Sequence, residues 1–268
     1  LIVLDKRSIV IANGEVAELL ALALPRRIPI ICVEHASRPW LMNRKLGFLV
    51  RKLLVFKAAT WITVNSEQES IWPGIRNFEI VLNPIYPTSL NEDDLGTGLI
   101  HVGRVTPDKG TDMVCIAAKL LKVCLDVYGE GEELFSLRSR YSNVEGIKFH
   151  GFVENIWNRI GPRRLLISAS LHEGDGRNIA EAIMRQQPLL LLDTRDHRRF
   201  KLPEVNYFSN LDALVSRVEE HKVDDFERLR PAKSFAEREK QKRNPSNIAD
   251  SWISLISKIA AKQYQADL

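Results

Sequence analysis

The strongest constraint on the fold is an alternation between short apolar runs of strand length and longer amphipathic segments of helix length. Such an alternation is typical of βαβ units, which build parallel sheets. The runs are nearly continuous in Val, Ile and Leu, as expected for strands that are buried on both faces. In the first third of the chain, the predicted strands are Ser8–Ala12, Ile28–Val33, Trp61–Val64 and Phe78–Leu82, and the predicted helices are Glu15–Leu24, Leu41–Lys57 and Glu67–Trp72.

A turn-rich segment that begins at Asn83-Pro84 interrupts this alternation and favours a linker. A second series of strands and helices follows it and predicts a second α/β domain. Its predicted strands are Leu99–Val102, Cys124–Tyr128, Ile147–His150, Leu165–Ala169 and Pro188–Leu192, and its predicted helices are Thr111–Leu121, Glu132–Tyr141, Asn178–Gln186, Leu211–Glu220 and an amphipathic closing segment, Ser246–Ala261.

Composition narrows the class of protein. Hydrophobic residues make up 45% of the 268 residues and the net charge is +4, which is typical of a globular protein and does not favour nucleic acid as a partner. Cys32, Cys115 and Cys124 lie in apolar runs, so we expect buried thiols and a reducing, cytoplasmic location. No pair of cysteines has zinc-ligand spacing, and no apolar run is long enough to span a bilayer.

Ligands of open α/β sheets bind at the carboxyl ends of the strands, where helix N-termini face phosphates. In the loop after Leu99–Val102, Arg104 and Lys109 lie five residues apart and suit a diphosphate. The alternative is two exposed basic side chains on a turn. In the next such loop, Gly129-Glu130-Gly131 allows a ligand or a neighbouring backbone to approach closely, or forms a plain turn.

The loop after Leu165–Ala169 carries the strongest signal. Glu173 precedes a glycine-punctuated turn, and Glu181 lies in the first turns of the following helix. For a sugar nucleotide, the loop glutamate would face the reacting sugar and the helix glutamate would accept hydrogen bonds from the ribose, with phosphate at the helix start. The alternative is that both are ordinary surface acids.

Glu173 and Glu181 are separated by seven residues, and their segment resembles the E-x7-E segment of the family 4 (group 1) glycosyltransferases, which have the GT-B fold. Other segments resemble further motifs of that family, in the family's order. In the second domain these are His101–Gly110, Leu125–Gly131 and Lys148–Val153, and in the first domain Ile31–His35, Thr63–Ser66 and Val81–Ile85.

The resemblance implies a GT-B-like α/β fold with two Rossmann-like domains and parallel sheets. The family's first strands and its first glycine-rich loop have no counterpart before Leu1, so the first domain is expected to be incomplete. The predicted organisation is a partial acceptor-side domain at residues 1–88, a linker at 89–98, a nucleotide-sugar-binding domain at 99–240, and a helix at 241–268 that crosses back to the first domain.

The implied reaction transfers a sugar from a UDP- or GDP-linked donor to a hydroxyl of a glycan or lipid-linked acceptor, with retention and without a cofactor or metal ion. Surface polysaccharide or lipid-linked glycan synthesis is the expected context. The implied catalytic residues are His35, Arg104, Lys109 and Glu173. The implied donor-binding residues are Gly103, Arg104, Lys109, Gly129, Gly151, Phe152, Val153, Glu173, Gly174, Gly176, Asn178, Ile179 and Glu181.

Residues 38–61 form a basic stretch with interleaved apolar side chains and no acid. Such a pattern suits an anionic membrane surface, at the inner face of the plasma membrane. The alternative is a core-facing helix with a solvated basic face.

Two other functions remain open from the sequence. A GT-B-fold epimerase would release free sugar from a UDP-sugar without an acceptor, and a GT-B-fold phosphorylase would show an additional phosphate or pyridoxal site. A non-catalytic subunit would bind the nucleotide sugar without turnover. A nicotinamide-binding protein is disfavoured, because no GxGxxG follows a first strand.

Overall fold

The structure, a computed structural model, describes residues 8–35, 43–64, 78–86, 88, 91, 93, 96–221 and 226–266. The chain divides into two compact units, one of Leu1–Pro84 with Lys242–Leu268 and the other of Ile85–Gln241. Each unit contains a sheet whose strands are all parallel. The predicted α/β class with two parallel sheets is therefore confirmed.

The sheet of the first unit consists of β1 Val10–Asn13, β2 Ile30–Glu34, β3 Ala58–Thr63 and β4 Phe78–Ile80, and its first helices are α1 Glu15–Ala21 and α2 Arg44–Leu54. The strands are ordered β1-β2-β3-β4. Every residue of β2 is buried. Alternate residues of this strand point to opposite faces, and Ile30 and Cys32 pack with buried residues of α1 and α2.

The second unit has six strands: β5 Gly98–Val102, β6 Leu125–Tyr128, β7 Ile147–Gly151, β8 Arg164–Ser168, β9 Leu189–Leu192 and β10 Tyr207–Phe208. Its helices are α3 Thr111–Leu121, α4 Leu134–Arg140, α5 Arg177–Met184, α6 Arg195–Arg198, α7 Leu211–Glu220 and α8 Lys233–Lys242. One face of the sheet packs with α3, α4 and α7, and the other packs with α5.

The strand order of this second sheet is β10-β9-β8-β5-β6-β7. The chain adds β6 and β7 on one side of β5 and then crosses to the other side to form β8. The order therefore reverses between β5 and β8. Open α/β sheets bind ligands at the carboxyl ends of the strands at such a reversal, so the loops after β5 and β8 delimit the candidate site.

The C-terminal helix α9, Pro245–Ala266, is part of the first unit. Its buried residues Ile248, Leu255 and Ile259 pack with Ile31 and the other residues of β2 and β3 that point away from α1 and α2. Both faces of this sheet are thus covered. An apolar stripe at helical spacing accounts for this packing.

The predicted strands and helices of the described residues are present, with shifted ends. The largest shift is at the end of α9, which continues to Ala266, five residues beyond the predicted Ala261. The two-residue strand β10 was not predicted, because two residues are too few for a periodic pattern. The predicted helix Glu67–Trp72 lies outside the described residues, as do Asn65 and Ser66.

Two cations of the stretch 38–61 are not part of a solvated basic face. Arg51 is buried and forms a bidentate ion pair with Glu18, at 2.9 and 2.6 Å, and a further ion pair with Glu34. Lys57 donates to the carbonyl of Leu24 at 2.7 Å. The prediction that these side chains face solvent or lipid is wrong for Arg51, because two buried carboxylates require a cation.

The Arg51 ion pairs give the first testable expectation. Arg51→Met leaves Glu18 and Glu34 buried without a cation and should lower the free energy of unfolding by about 3–5 kcal/mol. Urea denaturation measures this change. Lys52→Met, at the exposed neighbouring position, is the control and should change the stability by less than about 0.5 kcal/mol. Equal stability of the two variants would contradict the assignment.

The three thiols differ in burial. Cys32 and Cys115 are buried, as predicted, and burial raises the pKa of each to about 12. Cys124 is exposed, so the prediction of a buried thiol is wrong there. The reason is its position: Cys124 precedes β6 and lies outside the sheet core.

Ellman's reagent should therefore titrate one thiol of the native protein, because the thiolate is the reactive form and needs access. Cys124→Ser should abolish this reaction. Denaturation of this variant should make its two remaining thiols, those of Cys32 and Cys115, reactive. Rapid titration of a second thiol in the native protein would show that Cys32 or Cys115 is accessible.

Across the part of the chain that the structure describes, no helix is both long and apolar enough to cross a bilayer.

Candidate functional site

The loop after β5 is held against the end of β8. Gly110 has φ +64°, and a Cβ at this position would lie 2.4 Å from the carbonyl oxygen of Ala169. Only glycine fits such a close approach in this backbone conformation. In addition, the backbone N–H of Leu171 donates to the carbonyl of Asp108 at 2.8 Å. The two loops of the strand-order reversal are therefore joined by backbone contacts.

This junction brings Lys109 and Glu173 together. Lys109 Nζ lies 2.9 Å from Glu173 Oε1 and donates to Ser170 Oγ at 3.1 Å and to the carbonyl of His172 at 2.8 Å. The three donors of the ammonium group therefore have three partners. Both charged side chains are largely buried. A buried ion pair at the carboxyl ends of two adjacent strands is a suitable place for charged chemistry.

Arg104 lies in the same loop but is mostly exposed, with its NH2 4.0 Å from Asp108 Oδ2. An exposed ion pair at this distance restrains a side chain weakly. The guanidinium group of Arg104 is thus free to turn toward an anion bound at the loop. Of the two predicted diphosphate ligands, Lys109 is fixed in place and Arg104 is adjustable.

Three glycines lie at the ends of the adjacent strands β5, β6 and β7. Gly103 N donates to the carbonyl of Tyr128 at 3.0 Å, and Gly129 N donates to that of Gly151 at 2.7 Å. A Cβ at Gly129, where φ is +142°, would lie 1.7 Å from the carbonyl oxygen of Gly103. Of the alternatives for the Gly129 segment, the close approach of a neighbouring backbone is the one that the structure shows.

These strand ends line a cavity of about 330 Å³. Its walls include Phe152, whose side chain is 72% exposed, and Val153. The cavity is mainly apolar and backbone-lined, which suits a flat ring held by backbone groups. The other lining residues are Val102, Gly103, Arg104, Tyr128, Gly129, Glu130 and Ile156.

The loop after β8 is held by α6, a contribution that the sequence did not indicate. The backbone N–H of Glu173 donates to Asp196 Oδ2 at 2.8 Å, and Arg199 donates to the carbonyl of Gly174. Asp196 and Arg199 lie more than 20 residues downstream, with no motif around them. Only the tertiary fold reveals that they position Glu173.

Helix α5 begins after Gly176, which has φ +62° and acts as its N-cap. Asn178 Nδ2 donates to the carbonyl of Val102 at 2.6 Å and ties the helix start to the end of β5. The side chain of Ile179 is fully buried, and its N–H donates to the carbonyl of Gly176 at 3.1 Å. Asn178 and Ile179 thus hold the helix in position, and their predicted contacts with a ligand stay predictions.

Glu181 lies one turn into α5 and keeps 22% of its side chain exposed. Its Oε2 accepts a hydrogen bond from Trp157 Nε1 at 2.6 Å, and its Oε1 lies 3.8 Å from Arg177 NH2. Trp157 was not predicted as a site residue. The sequence around Trp157 does not indicate a site residue, because an apolar residue after a strand is typical of the hydrophobic core.

Two histidines are buried beneath these loops. His101 Nε2 contacts Thr111 Oγ1 at 3.1 Å, and burial lowers the pKa of His101 to about 4. His197 contacts the carbonyl of Leu192 at 2.6 Å, and burial lowers its pKa as well. Both rings are therefore neutral at pH 7, and their hydrogen bonds stabilise the fold.

His35 belongs to the first unit, follows β2 and is exposed. Its predicted role at the reacting sugar stays a prediction. Among the described residues, no group of three or more His, Cys, Asp or Glu side chains could hold a metal ion.

Residues 86–200 match the family model of the group 1 glycosyl transferases. This segment contains both loops of the strand-order reversal and all the predicted donor-binding residues. A sequence comparison with curated proteins gave no match.

Several solved structures share the fold of the chain. TarM of S. aureus is 16% identical with a TM-score of 0.75, over 94% of this chain and 55% of TarM. HepE of Anabaena, solved with UDP and glucose, is 17% identical with a TM-score of 0.77, over 93% of this chain and 77% of HepE. The pneumococcal O-GlcNAc transferase GtfA, solved with UDP and GlcNAc, is 17% identical with a TM-score of 0.72, over 96% of this chain and 57% of GtfA.

The predicted GT-B-like fold is confirmed by these structures. Residues 86–200 are therefore similar to the group 1 glycosyl transferases, and the solved structures share the fold of the chain. The chain spans just over half the length of TarM and of GtfA.

Proposed function

We propose that the chain binds a nucleotide-sugar donor in its second unit and transfers the sugar to a hydroxyl acceptor. The observation that carries this proposal is the contact between Lys109 and Glu173 at the strand-order reversal. It places a cation for phosphate and a carboxylate for sugar hydroxyls side by side, next to a cavity suited to a nucleobase. The family match over residues 86–200 supports the same reading.

The positive charge at the site would act on the leaving group. As the bond to the anomeric carbon breaks, negative charge develops on the diphosphate of the donor. Lys109, fixed by Ser170 and His172, and the adjustable Arg104 would stabilise that charge. Preorganised charges of this kind contribute most where charge develops in the transition state.

Glu173 would orient the sugar. Its carboxylate is buried beside Lys109, and Asp196 holds its backbone. Sugar hydroxyls can donate to this carboxylate while a phosphate oxygen accepts from Lys109, so the donor would replace part of the ion pair. This exchange couples the binding of the diphosphate to the positioning of the sugar. Glu181 would accept from the ribose, and the backbone of Gly151–Val153 would meet the base.

The finer assignments follow the resemblance to family 4. We propose transfer with retention, with His35 of the first unit near the reacting sugar. UDP is the favoured donor nucleotide over GDP, because the structures of HepE and GtfA were solved with UDP. A glycan or lipid-linked hydroxyl in surface polysaccharide synthesis, on the cytoplasmic side, is the proposed acceptor.

Thermal-shift binding tests the donor site. UDP, GDP and ADP, with the matching monophosphates and NAD, are added to the chain and to Glu181→Ala. One nucleoside diphosphate near 100 times its Kd should raise Tm by about 5 °C or more, since binding stabilises by mass action. Glu181→Ala should lose much of this shift, whereas Glu219→Ala, an exposed acid on α7, should keep it.

The outcomes separate the candidate functions. Equal shifts with diphosphates and monophosphates, or a shift with NAD alone, would contradict the proposal. A diphosphate shift without consumption of the nucleotide sugar would support the non-catalytic subunit. Isomerised sugar released without an acceptor would support the epimerase.

We also propose that α2 docks on an anionic membrane surface. Its exposed cations Arg44, Lys45 and Lys52 are interleaved with exposed apolar side chains, among them Phe48 at 66%. Phe56, after the helix, is 81% exposed. Arg51 and Lys57 do not contribute, for the reasons given above. Basic charge beside exposed aromatic groups is complementary to anionic lipid head groups.

Co-sedimentation tests this docking. At low salt the chain should pellet with phosphatidylglycerol vesicles and not with phosphatidylcholine vesicles. The double variant Phe48→Ser, Phe56→Ser should lose the binding. Phe135→Ser, at an 85% exposed position of the second unit, is the control and should retain it. Absence of co-sedimentation at low salt overturns the membrane proposal.

A further inference from the structure

The indole of Trp157 contacts two side chains, one on α5 and one on Arg185, the residue that follows α5. Its Nε1–H donates to Glu181 Oε2 at 2.6 Å, and the guanidinium group of Arg185 lies 5.5 Å from the ring centroid. Trp157 itself is 5% exposed. A cation over the face of an indole draws electron density from the ring and strengthens its N–H as a donor.

Arg185 is fixed by its own partners. Its NH2 donates to the carbonyl of Ile160 and its NH1 to Thr88 Oγ1, both at 3.0 Å. Arg185 is as buried as Trp157. The ring of Trp157 is thus held on its face by an immobile cation and at its edge by Glu181, so its orientation is fixed before any ligand binds.

The carboxylate of Glu181 has two oxygens with different neighbours. Oε2 accepts from Trp157, whereas Oε1 lies 3.8 Å from NH2 of Arg177, a side chain that is mostly exposed. Arg177 is 58% exposed and precedes Glu181 by one helical turn. Without the bond to Trp157, the carboxylate could rotate into a bidentate pair with Arg177, since i,i+4 pairs of this kind form readily on helices.

We infer that Trp157 is a positioning residue, which holds the carboxylate of Glu181 away from Arg177 so that Oε1 accepts from the ribose hydroxyls of the donor. Trp157 therefore determines how strongly the site distinguishes a ribonucleotide from a deoxyribonucleotide. This inference rests on the proposed function, because it assumes that Glu181 meets the ribose.

The test measures ribose discrimination by calorimetric titration with UDP, 2′-deoxy-UDP and 3′-deoxy-UDP. The unmodified chain should bind UDP about tenfold more tightly than at least one deoxy analogue, as a hydrogen bond to a charged group contributes this much. Trp157→Phe should reduce the ratio to about twofold or less and leave the affinity for the deoxy analogue unchanged. A purely structural defect would lower the affinity for all three nucleotides by the same factor.

Arg177→Ala is the second variant, at an exposed position that should not affect folding. Alone, it should leave the discrimination ratio unchanged, because Trp157 already holds Glu181. In the Trp157→Phe background, it should restore part of the ratio. If Arg177→Ala alone abolishes discrimination, Arg177 and not Trp157 orients Glu181, and the inference is overturned even where Trp157→Phe does not fold.

Glu181→Ala distinguishes a failure of the ribose contact from a failure of the role of Trp157. Retention of ribose discrimination in Glu181→Ala, which has no acceptor oxygen at this position, shows that Glu181 does not meet the ribose, and this part of the proposed function fails. Loss of discrimination in Glu181→Ala together with full retention in a folded Trp157→Phe overturns the inference alone.

Discussion

Replacement of Lys109 by alanine is expected to lower the kcat of sugar transfer by about 10²–10³-fold, the range found when one preorganised electrostatic group is removed from an active site. Lys109 is expected to contribute this much to kcat because its ammonium group is fixed by three partners, one of which is Glu173. The site therefore requires no reorganisation of this charge when the diphosphate leaves. Arg104, being exposed, should contribute less.

Steady-state transfer assays measure this change. Lys109→Ala leaves the buried carboxylate of Glu173 without its cation, so the folded fraction of the variant is determined by circular dichroism and used to correct the rate. Lys119→Ala is the control, because Lys119 is an exposed lysine of α3. A corrected rate within threefold of the unmodified chain would remove Lys109 from the mechanism.

Gly129→Ala is expected to destabilise the second unit by about 3 kcal/mol or more, since forced overlap and a strained backbone are both among the costly classes of substitution. The added Cβ would lie 1.7 Å from the carbonyl oxygen of Gly103. This oxygen belongs to the backbone, so the ends of β5 and β6 would have to separate. We therefore expect nucleotide binding to be lost together with stability.

Gly103→Ala is the matched comparison for stability, because the nearest atoms to its added Cβ are side-chain atoms at 3.7 and 3.9 Å. Its free energy of unfolding should change by less than about 1 kcal/mol. Thermal unfolding of the two variants measures the difference. Equal stabilities would show that the strand ends do not approach as closely as the structure indicates.

The fold could be predicted from the sequence because it depends on a local pattern. Fully buried strands such as β2 and β9 read as continuous apolar runs, and helices such as α3 and α7 show their period within a few turns. The two-residue strand β10 has no such pattern. Its pairing with β9 depends on tertiary packing alone.

The candidate site was predictable only in part. Lys109 and Glu173 were each predicted from loop position and motif, but their contact arises from the strand order, which places β5 beside β8. Asp196 and Trp157 lie 23 and 24 residues from the glutamates that they hold. No local pattern reports a hydrogen bond at such a separation.

For Arg51, the sequence predicts an exposed side chain, and this prediction is wrong. Arg51 fits the basic face of an amphipathic helix in the sequence, yet it lies in the core between Glu18 and Glu34. Periodicity reports which residues share a helix face and not which charge on that face has a buried partner. Glu18 and Arg51 are 33 residues apart, so no local sequence pattern indicates that they form an ion pair.

We propose above that the loops after β5 and β8 hold the diphosphate of a nucleotide-sugar donor. The most direct test is a crystal structure of the chain with the nucleoside diphosphate that stabilises it. We expect phosphate oxygens within hydrogen-bonding distance of Lys109 Nζ and of Arg104, and the ribose at Glu181. A nucleotide bound away from Lys109, with the ion pair to Glu173 undisturbed, would contradict it.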